Sequence, residues 1–402
     1  MTTQRQSWTV VAACTAAMMV TGGPILVYTQ SVFLAPMTEQ FGWSRAEYFL
    51  PLAVAGLIGA LATPLAGWAV DRWRVRRLLL IAVPLFAAVT AVIAVTRGSL
   101  MLYTVLMTGS FVLAAVHGPL LYSKIAATAG LQLGRPGLAL ALTGVGIGLG
   151  AIALPPLSVV LIDDYGWRLA RITLGAVALL VAFPAVWLFI HDDRPAPQRE
   201  GNSPTFGVSL AEAVRSRTFW LIAGALFVAA ATLSAVLGNL MSIMTELHFT
   251  RDFAALMLSG FAIAQILGRF LAGIVFDRFD SSRLAACWFA LAALGMWMIA
   301  RNPSELATGL GILLVGLALG SELQIAGYYT VRFFGIRSYG QIYGILLALF
   351  TIGSTVGPFL LGRFRDEMQS YGDGLAMASV ATCLPILVFM SLGRYVFPAR
   401  RL

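Results

Sequence analysis

Three ionisable side chains, His117, Arg269 and Glu322, interrupt long apolar stretches of the sequence. An ionised group in hydrocarbon costs about 3 kcal/mol or several times that amount, so such residues are candidates for a function. Each lies about five residues past the midpoint of its stretch, which is roughly 6 to 8 Å at about 1.5 Å per residue. We therefore expect the three groups at one depth.

A buried arginine and a buried acid suit the handling of a negatively charged solute. The guanidinium of Arg269 does not lose its proton, so it needs an anion, and its planar fork matches a carboxylate. Glu322 could hold a proton in a low-dielectric cavity and exchange it against the charge of a substrate. The alternative for both residues is a structural ion pair between them.

His117 is a second candidate proton carrier, because an imidazole titrates near neutral pH. It precedes Gly118 and Pro119, a pair that is typical of a helix kink. A hydrogen-bonded packing histidine at that kink is therefore an equal alternative.

These side chains belong to a very apolar chain. Its 402 residues are 59% hydrophobic and 11% charged, which leaves too few polar residues to cover a water-soluble globule. Twelve apolar stretches alternate with short polar segments, and this pattern predicts membrane-spanning helices, numbered here span 1 to span 12. The stretches are residues 8–35, 46–70, 77–96, 100–124, 137–162, 170–190, 218–245, 253–276, 284–300, 305–330, 339–362 and 375–397.

Positive charges are distributed by membrane side. The net charge is +9, and with a cytoplasmic N-terminus eighteen of the 27 Lys and Arg residues fall on inner segments. Eight fall on outer segments, among them Arg171, which leaves Arg269 as the only cation buried within a span. The distribution predicts an inner (plasma) membrane protein with both termini in the cytoplasm, and it argues against a nucleic-acid partner.

An internal repeat divides the chain into halves. Residues 67–77 and 273–283 share Gly, Asp, Arg and a final Arg at a constant offset of 206 positions. A repeated element in two six-helix halves is typical of transporters with a site at the repeat interface. We expect an N-terminal bundle over 1–190, a polar cytoplasmic linker over 191–217 and a C-terminal bundle over 218–402.

The repeated Gly-x-x-x-Asp-Arg element resembles the cytoplasmic loop motif of the major facilitator superfamily. The resemblance covers the whole chain and implies an all-α membrane protein with two pseudo-symmetric six-helix bundles. It also implies that Asp71, Arg72, Asp277 and Arg278 take part in contacts that hold the inward side shut. The alternative is that the arginines only set topology.

Other segments resemble the monocarboxylate and oxalate/formate branch of that superfamily, particularly its bacterial members. They are residues 41–46, 134–139 and 334–344. The resemblance implies that Arg269 holds the carboxylate of a substrate. Animal members pair that arginine with an aspartate four residues earlier and associate it with proton coupling; this chain has Gln265 there, so coupling must use another group or be absent.

Further polar side chains on spans 1, 4, 7 and 10 could orient a small ligand by hydrogen bonds. Tyrosines are also common at the bilayer interface, so an anchoring or packing role is the alternative for several of them. The candidates are Tyr28, Gln30, Tyr122, Asn239, Gln324, Tyr328 and Tyr329. Gln265 and His117 are also candidate substrate-binding residues, beside Arg269.

The leading hypothesis is a secondary transporter that moves a small organic anion, a monocarboxylate, by alternating access, coupled to protons or by exchange. A drug or metabolite efflux antiporter of the same fold is the alternative, and a sensor without transport is a third reading. We expect a monomer in the lipid bilayer. No phosphate loop, metal cluster or nucleophile constellation points to an enzyme, and no cofactor is expected.

Overall fold

A computed structural model describes residues 2–190, 207–279, 281–301 and 304–397. The described part is almost entirely helical and falls into two compact units. Unit 1 comprises the residues up to Gly207 together with Gly335–Ile345, and unit 2 comprises Val208–Phe334 and the residues from Leu346 onward. The helices are α1 (Thr2–Met18), α2 (Gln30–Phe41), α3 (Arg45–Arg72), α4 (Val75–Val92), α5 (Leu100–Val116), α6 (Pro119–Gln132), α7 (Pro136–Phe189), α8 (Leu210–Arg215), α9 (Arg217–Glu246), α10 (Arg251–Arg278), α11 (Leu284–Arg301), α12 (Glu305–Phe334), α13 (Tyr339–Met368) and α14 (Tyr371–Ser391).

Within the described ranges, eleven helical segments are long and apolar enough to cross a membrane. One of them, Pro136–Phe189, has 54 residues, about 80 Å of helix, which is more than twice the thickness of the hydrocarbon core. It contains a break at Gly166, where φ is 82° and ψ is 161°, a conformation that side-chain-bearing residues rarely adopt. The segment is therefore two spans, and the predicted twelve-span, all-α membrane fold is confirmed.

Span 1 and span 4 of unit 1 are interrupted helices. Span 1 consists of α1, a π-helical turn at Gly23–Val27 that begins around Pro24, and α2. Span 4 consists of α5 and α6, separated at His117 and Gly118 just before Pro119. Proline lacks the N–H that continues the backbone ladder, so each interruption lies where the sequence removes a donor.

Unit 2 is held together by the contact of α10 with α12 and by the contacts of α11 with α12 and α14. Its buried core includes Phe261 of α10, Met296 of α11, Val315 of α12 and Leu361 of α13. Large apolar side chains also cover the outside of both units; Met101 is 79% exposed and Val380 is 71% exposed. In a bilayer such side chains face lipid, so the apolar surface requires no further partner.

The linker predicted over 191–217 falls partly outside the described residues, which omit 191–206. Its remaining part contains the short helix α8, whose first turn is capped reciprocally: Ser209 Oγ accepts from the backbone N–H of Glu212, and Glu212 accepts from the backbone N–H of Ser209. The predicted domain boundaries stay a prediction.

Candidate functional site in the membrane spans

Arg269 lies on α10 with its side chain 4% exposed. One of its terminal nitrogens, Nη2, donates to Oε1 of Gln265 at 3.3 Å, one helical turn earlier on the same face. This bond holds the guanidinium along its own helix. The acceptor is a neutral amide oxygen, so Gln265 orients the cation without neutralising its charge.

Close packing of α10 on α12 brings Glu322 to the level of Arg269. Gly316 packs against the backbone oxygen of Phe261, and Gly320 packs against that of Gln265, with the same offset of 55 residues in both contacts. A side chain on Gly320 would collide with the Gln265 carbonyl, so glycine is required for this approach. Glu322 follows Gly320 by two residues and Arg269 follows Gln265 by four, so the two residues differ in depth by only about 3 Å along the helix axes.

Glu322 is fully buried, and neither carboxylate oxygen has a hydrogen-bond partner among the described residues. A hydrogen-bonded ion pair between Arg269 and Glu322 is therefore not present, which removes the support for the structural-pair alternative. A buried carboxyl group without partners is strongly destabilised in its charged form. This arrangement suits a group that carries a proton in the conformation described here.

His117 lies in unit 1, at the break between α5 and α6, and is fully buried. Its Nε2 lies 3.3 Å from the carbonyl oxygen of Val20, and its Nδ1 lies 2.9 Å from the hydroxyl of Tyr122. A carbonyl oxygen only accepts, so Nε2 carries the hydrogen and Nδ1 accepts from the tyrosine. Both ring nitrogens are engaged, which favours the packing role at the kink over the proton carrier.

Asn239, predicted to orient a ligand, is engaged with protein groups on three helices of unit 2. Its Nδ2 donates to the carbonyl oxygens of Ala235 at 3.0 Å and Pro358 at 3.1 Å, and its Oδ1 accepts from the hydroxyl of Tyr371 at 3.3 Å. The amide therefore joins α9, α13 and α14 next to a proline in α13. This geometry favours a structural role.

Two of the predicted tyrosine ligands, Tyr28 and Tyr328, differ in their surroundings. The hydroxyl of Tyr328 donates to the carbonyl oxygen of Phe276 at 2.7 Å and accepts from Arg332 Nη1 at 2.8 Å, which locks it inside unit 2. Tyr28 is half-buried at the end of the π-helical turn in unit 1. Its hydroxyl makes no hydrogen bond with the described residues and is available to a ligand.

The first copy of the loop motif lies at the C-terminal end of α3 in unit 1, where both carboxylate oxygens of Asp71 accept hydrogen bonds. One oxygen of Asp71, Oδ1, accepts from Lys124 Nζ and from the backbone N–H of Gly340 at 3.0 Å; Oδ2 accepts from the backbone N–H of Gln341 at 2.8 Å. The carboxylate thus occupies the positive N-terminus of α13. Arg72 lies beside it with its guanidinium 5.5 Å from the Trp68 ring.

The second copy of the motif lies at the C-terminal end of α10 in unit 2. Asp277 is half-buried and Arg278 is exposed in the last turn of that helix.

Two cations that the sequence reasoning assigned to loops are buried, which corrects the expectation that Arg269 is the only one. Arg171 is fully buried in α7 five residues after the break at Gly166, and Arg332 is 2% exposed in the last turn of α12, with its guanidinium 4.1 Å from the Tyr395 ring. The burial of Arg171 could have been predicted from the helical spacing of its neighbours. The buried residues Trp167, Ala170, Arg171 and Leu174 recur every three or four positions.

A surface cavity of about 370 Å³ opens in unit 1 between α2 and α7. Its lining contains none of the predicted site residues. It is formed by Ser31, Val32, Ala35, Pro36, Val159, Ile162 and Asp163.

Comparison of the sequence with known proteins identifies its family. Residues 9–358 and 222–396 match the model of the Major Facilitator Superfamily. Human monocarboxylate transporter 11 is 25% identical over 403 residues, which are 96% of this chain and 83% of that protein. The multidrug resistance protein B homolog of Mycobacterium tuberculosis is 32% identical over 157 residues, which are 38% of this chain and 26% of that protein.

Solved structures show the same fold at lower identity. The fucose:proton symporter FucP of E. coli superposes with a TM-score of 0.72 at 15% identity, covering 94% of this chain and 97% of that one. The human organic anion transporter MFSD10 superposes with a TM-score of 0.73 at 15% identity, covering 96% and 99%. The family model spans most of the chain, and these proteins are transporters and not enzymes. The chain belongs to the Major Facilitator Superfamily of membrane transporters.

Proposed function

We propose that this transporter moves a small organic anion, a monocarboxylate, with Arg269 as the residue that binds the carboxylate. The observation that carries the proposal is a guanidinium buried in a membrane span and oriented by a neutral amide. Such a group attracts a negative charge and offers paired donors that match a carboxylate. The printed name of the human relative, a monocarboxylate transporter, supports the same class of substrate.

Gln265 supplies a second contact in this proposal. Its amide oxygen accepts from Arg269, which leaves the amide NH2 group as a donor one turn away from the guanidinium. A substrate oxygen next to the carboxylate, such as that of a 2-hydroxy or 2-oxo acid, would complete the pair. This arrangement favours substituted short-chain acids over unsubstituted ones.

Glu322 is the proposed proton-coupling group. Its carboxyl group is buried without a partner on the helix packed against α10, so ionising it requires a change in its surroundings. Entry of water or movement of the substrate could supply that change during alternating access. The engaged ring nitrogens of His117 make it the weaker candidate.

The loop residues are proposed to control access. The Asp71 network supports this role, because breaking it would expose a carboxylate, a lysine and two backbone N–H groups together. Arg72, Asp277 and Arg278 are proposed to act with it. The distribution of arginines supports an inner-membrane protein with both termini in the cytoplasm, and a monomer is proposed.

The test is transport by purified protein in liposomes, measured with a panel of radiolabelled small carboxylates at two pH values. Arg269→Lys keeps the charge but loses the fork, so transport should fall about tenfold or more, the loss expected from one charge-assisted hydrogen bond. Arg363→Lys is the matched control, because Arg363 is two-thirds exposed and pairs with Glu367 on the surface of α13. Wild-type rates in Arg269→Lys would contradict the role of Arg269.

Drug efflux is the second candidate, favoured by the partial match to a multidrug resistance protein. The same liposomes decide between the two functions. An efflux antiporter would move apolar cations against a proton gradient and ignore the carboxylates. Inhibition of carboxylate uptake by other carboxylates, and not by apolar cations, is the result expected here.

A further inference from the structure

The two copies of the Gly-x-x-x-Asp-Arg element differ in charge and in aromatic content. Residues 67–77 contain four arginines and one aspartate, a net charge of +3, whereas residues 273–283 contain two arginines and two aspartates, a net charge of zero. The first copy also has tryptophan, Trp68 and Trp73, where the second has isoleucine and phenylalanine. Both copies join two long helices in the same way, α3 to α4 and α10 to α11. The added cations and indole rings are therefore not needed to form the connection.

One contact recurs in both units and shows what the first copy has added. In unit 2, Ser282 Oγ donates to the carbonyl oxygen of Gly393, just after the end of α14. In unit 1, Arg76 Nη2 donates to the carbonyl oxygen of Trp187 in the last turn of α7 at 2.7 Å. Both partners lie 206 positions earlier than their counterparts. A serine and a glycine suffice for this bond, so the arginine and the tryptophan bring an extra cation and an extra indole ring.

The added side chains are exposed at the ends of the predicted spans. Trp68, Trp73 and Trp187 are 44%, 55% and 56% exposed. The Trp68 and Trp73 rings pack edge to face with their centroids 5.5 Å apart, and the guanidinium of Arg72 lies 5.5 Å from the Trp68 ring. Indole rings at span ends prefer the headgroup region of a bilayer. We call the exposed residues of this loop the Trp–Arg rim: Trp68, Arg72, Trp73, Arg74 and Arg77.

The positive charge of the rim is exposed. The aspartate of the motif, Asp71, does not cancel this charge, because its two oxygens accept from Lys124 and from backbone N–H groups of α13. No acid of the described residues forms an ion pair with Arg72 or Arg77. Guanidinium groups donate paired hydrogen bonds to phosphate oxygens. A phosphate carried by a lipid satisfies the arginines and places its acyl chains against the indole rings, whereas a free phosphate leaves the rings unused.

We propose that the Trp–Arg rim binds the headgroup of an anionic phospholipid. Charge complementarity carries the proposal: the loop has a net charge of +3, and the equivalent loop of unit 2, with no net charge, serves as an internal reference. Each arginine near an anionic headgroup strengthens binding about fivefold. Setting the topology explains the arginines but not the tryptophans that pack among them.

Native mass spectrometry of the purified full-length protein tests the proposal. Phosphatidylglycerol or phosphatidylcholine with the same acyl chains is titrated, and the dissociation constant of the first bound lipid is measured. Wild-type protein should bind phosphatidylglycerol more tightly, because the choline group neutralises the phosphate of the other lipid. Arg72→Gln/Arg74→Gln should weaken the binding of phosphatidylglycerol by about fivefold for each arginine removed. The matched control is Arg301→Gln/Arg363→Gln, which removes the same charge from two exposed, acid-paired arginines of unit 2 and should leave this binding unchanged.

A second variant keeps the test decisive if the double variant does not fold. Trp68→Ile/Trp73→Phe/Arg74→Asp installs the residues that the loop of unit 2 carries at the equivalent positions, so the connection should still form. This variant should lose the preference for phosphatidylglycerol. The proposal is overturned if wild-type protein shows no such preference, if either folded variant retains it at the wild-type level, or if the control loses it. It is also overturned if glycerol phosphate, the soluble headgroup analogue, displaces the lipid at equal concentration, since the site would then select free phosphate.

Discussion

Replacing Glu322 with methionine should stabilise the protein while removing its proton coupling. The carboxyl group is fully buried, and both oxygens are without partners. A buried polar group left unsatisfied costs about 1–3 kcal/mol. Methionine has a similar shape and no polar atom, so Glu322→Met should raise the free energy of unfolding by about that amount.

The loss of proton coupling should lower the accumulation of substrate by a calculable factor. A gradient of one pH unit is worth about 1.4 kcal/mol per proton, so one coupled proton drives about tenfold accumulation of substrate. Wild-type protein should therefore concentrate a carboxylate about tenfold in liposomes with an acidic exterior. Glu322→Met should only equilibrate it, while exchange of labelled for unlabelled substrate at equal pH continues.

Both effects can be measured on the same preparations. Unfolding in detergent gives the stability change, and uptake of radiolabelled lactate with and without a pH gradient gives the coupling. Glu305→Gln is the control, since Glu305 is an exposed acid in the first turn of the same helix and should affect neither measurement. Gradient-driven accumulation at the wild-type level in Glu322→Met would refute Glu322 as the coupling group, and a lowered stability would refute the absence of a partner.

Two further predictions concern packing and the loop network. Lys124→Met should lower the unfolding free energy by about 1.5–3 kcal/mol, because it leaves the largely buried Asp71 without its only side-chain counter-ion among the described residues. Lys124→Arg, measured beside it, should lose less; equal stability of Lys124→Met and wild type would contradict the network. Gly320→Val should destabilise by about 1–3 kcal/mol or more, because its side chain collides with the Gln265 carbonyl. Gly224→Val, on an open face of α9, is the control and should change stability little.

The spans could be predicted because the hydrocarbon core of a bilayer requires helices of a certain length and apolar composition, and such stretches can be recognised directly in the sequence. The ends of the helices could not be read in this way. The fourth stretch was predicted to end at residue 124, but α6 continues to Gln132, and the first was predicted to end at residue 35, but α2 continues to Phe41. Helices continue into polar sequence because their backbone hydrogen bonds do not depend on the bilayer.

The contacts of individual polar side chains were harder to predict than their positions. The sequence identified His117 and Asn239 as polar residues in spans, but it could not reveal that Val20, Tyr122, Pro358 and Tyr371 satisfy them. These partners lie on other helices or, for Val20, in the turn after α1, and they are up to 132 positions away in the chain. Arg171 was missed for a related reason, since a short polar segment around Gly166 resembled a loop and the break proved to be a single residue.

The scarcity of lysine gives this transporter an unusual chemical handle. Lys124 is the only lysine in 402 residues. Its amine is bound to Asp71 of α3, whose carboxylate also contacts the N-terminus of α13. Apart from the α-amine of the chain, an amine-directed fluorophore would therefore attach to one side chain, and only when that amine is released from Asp71 and deprotonated. The rate of acylation would report how often the salt bridge opens, without any engineered cysteine.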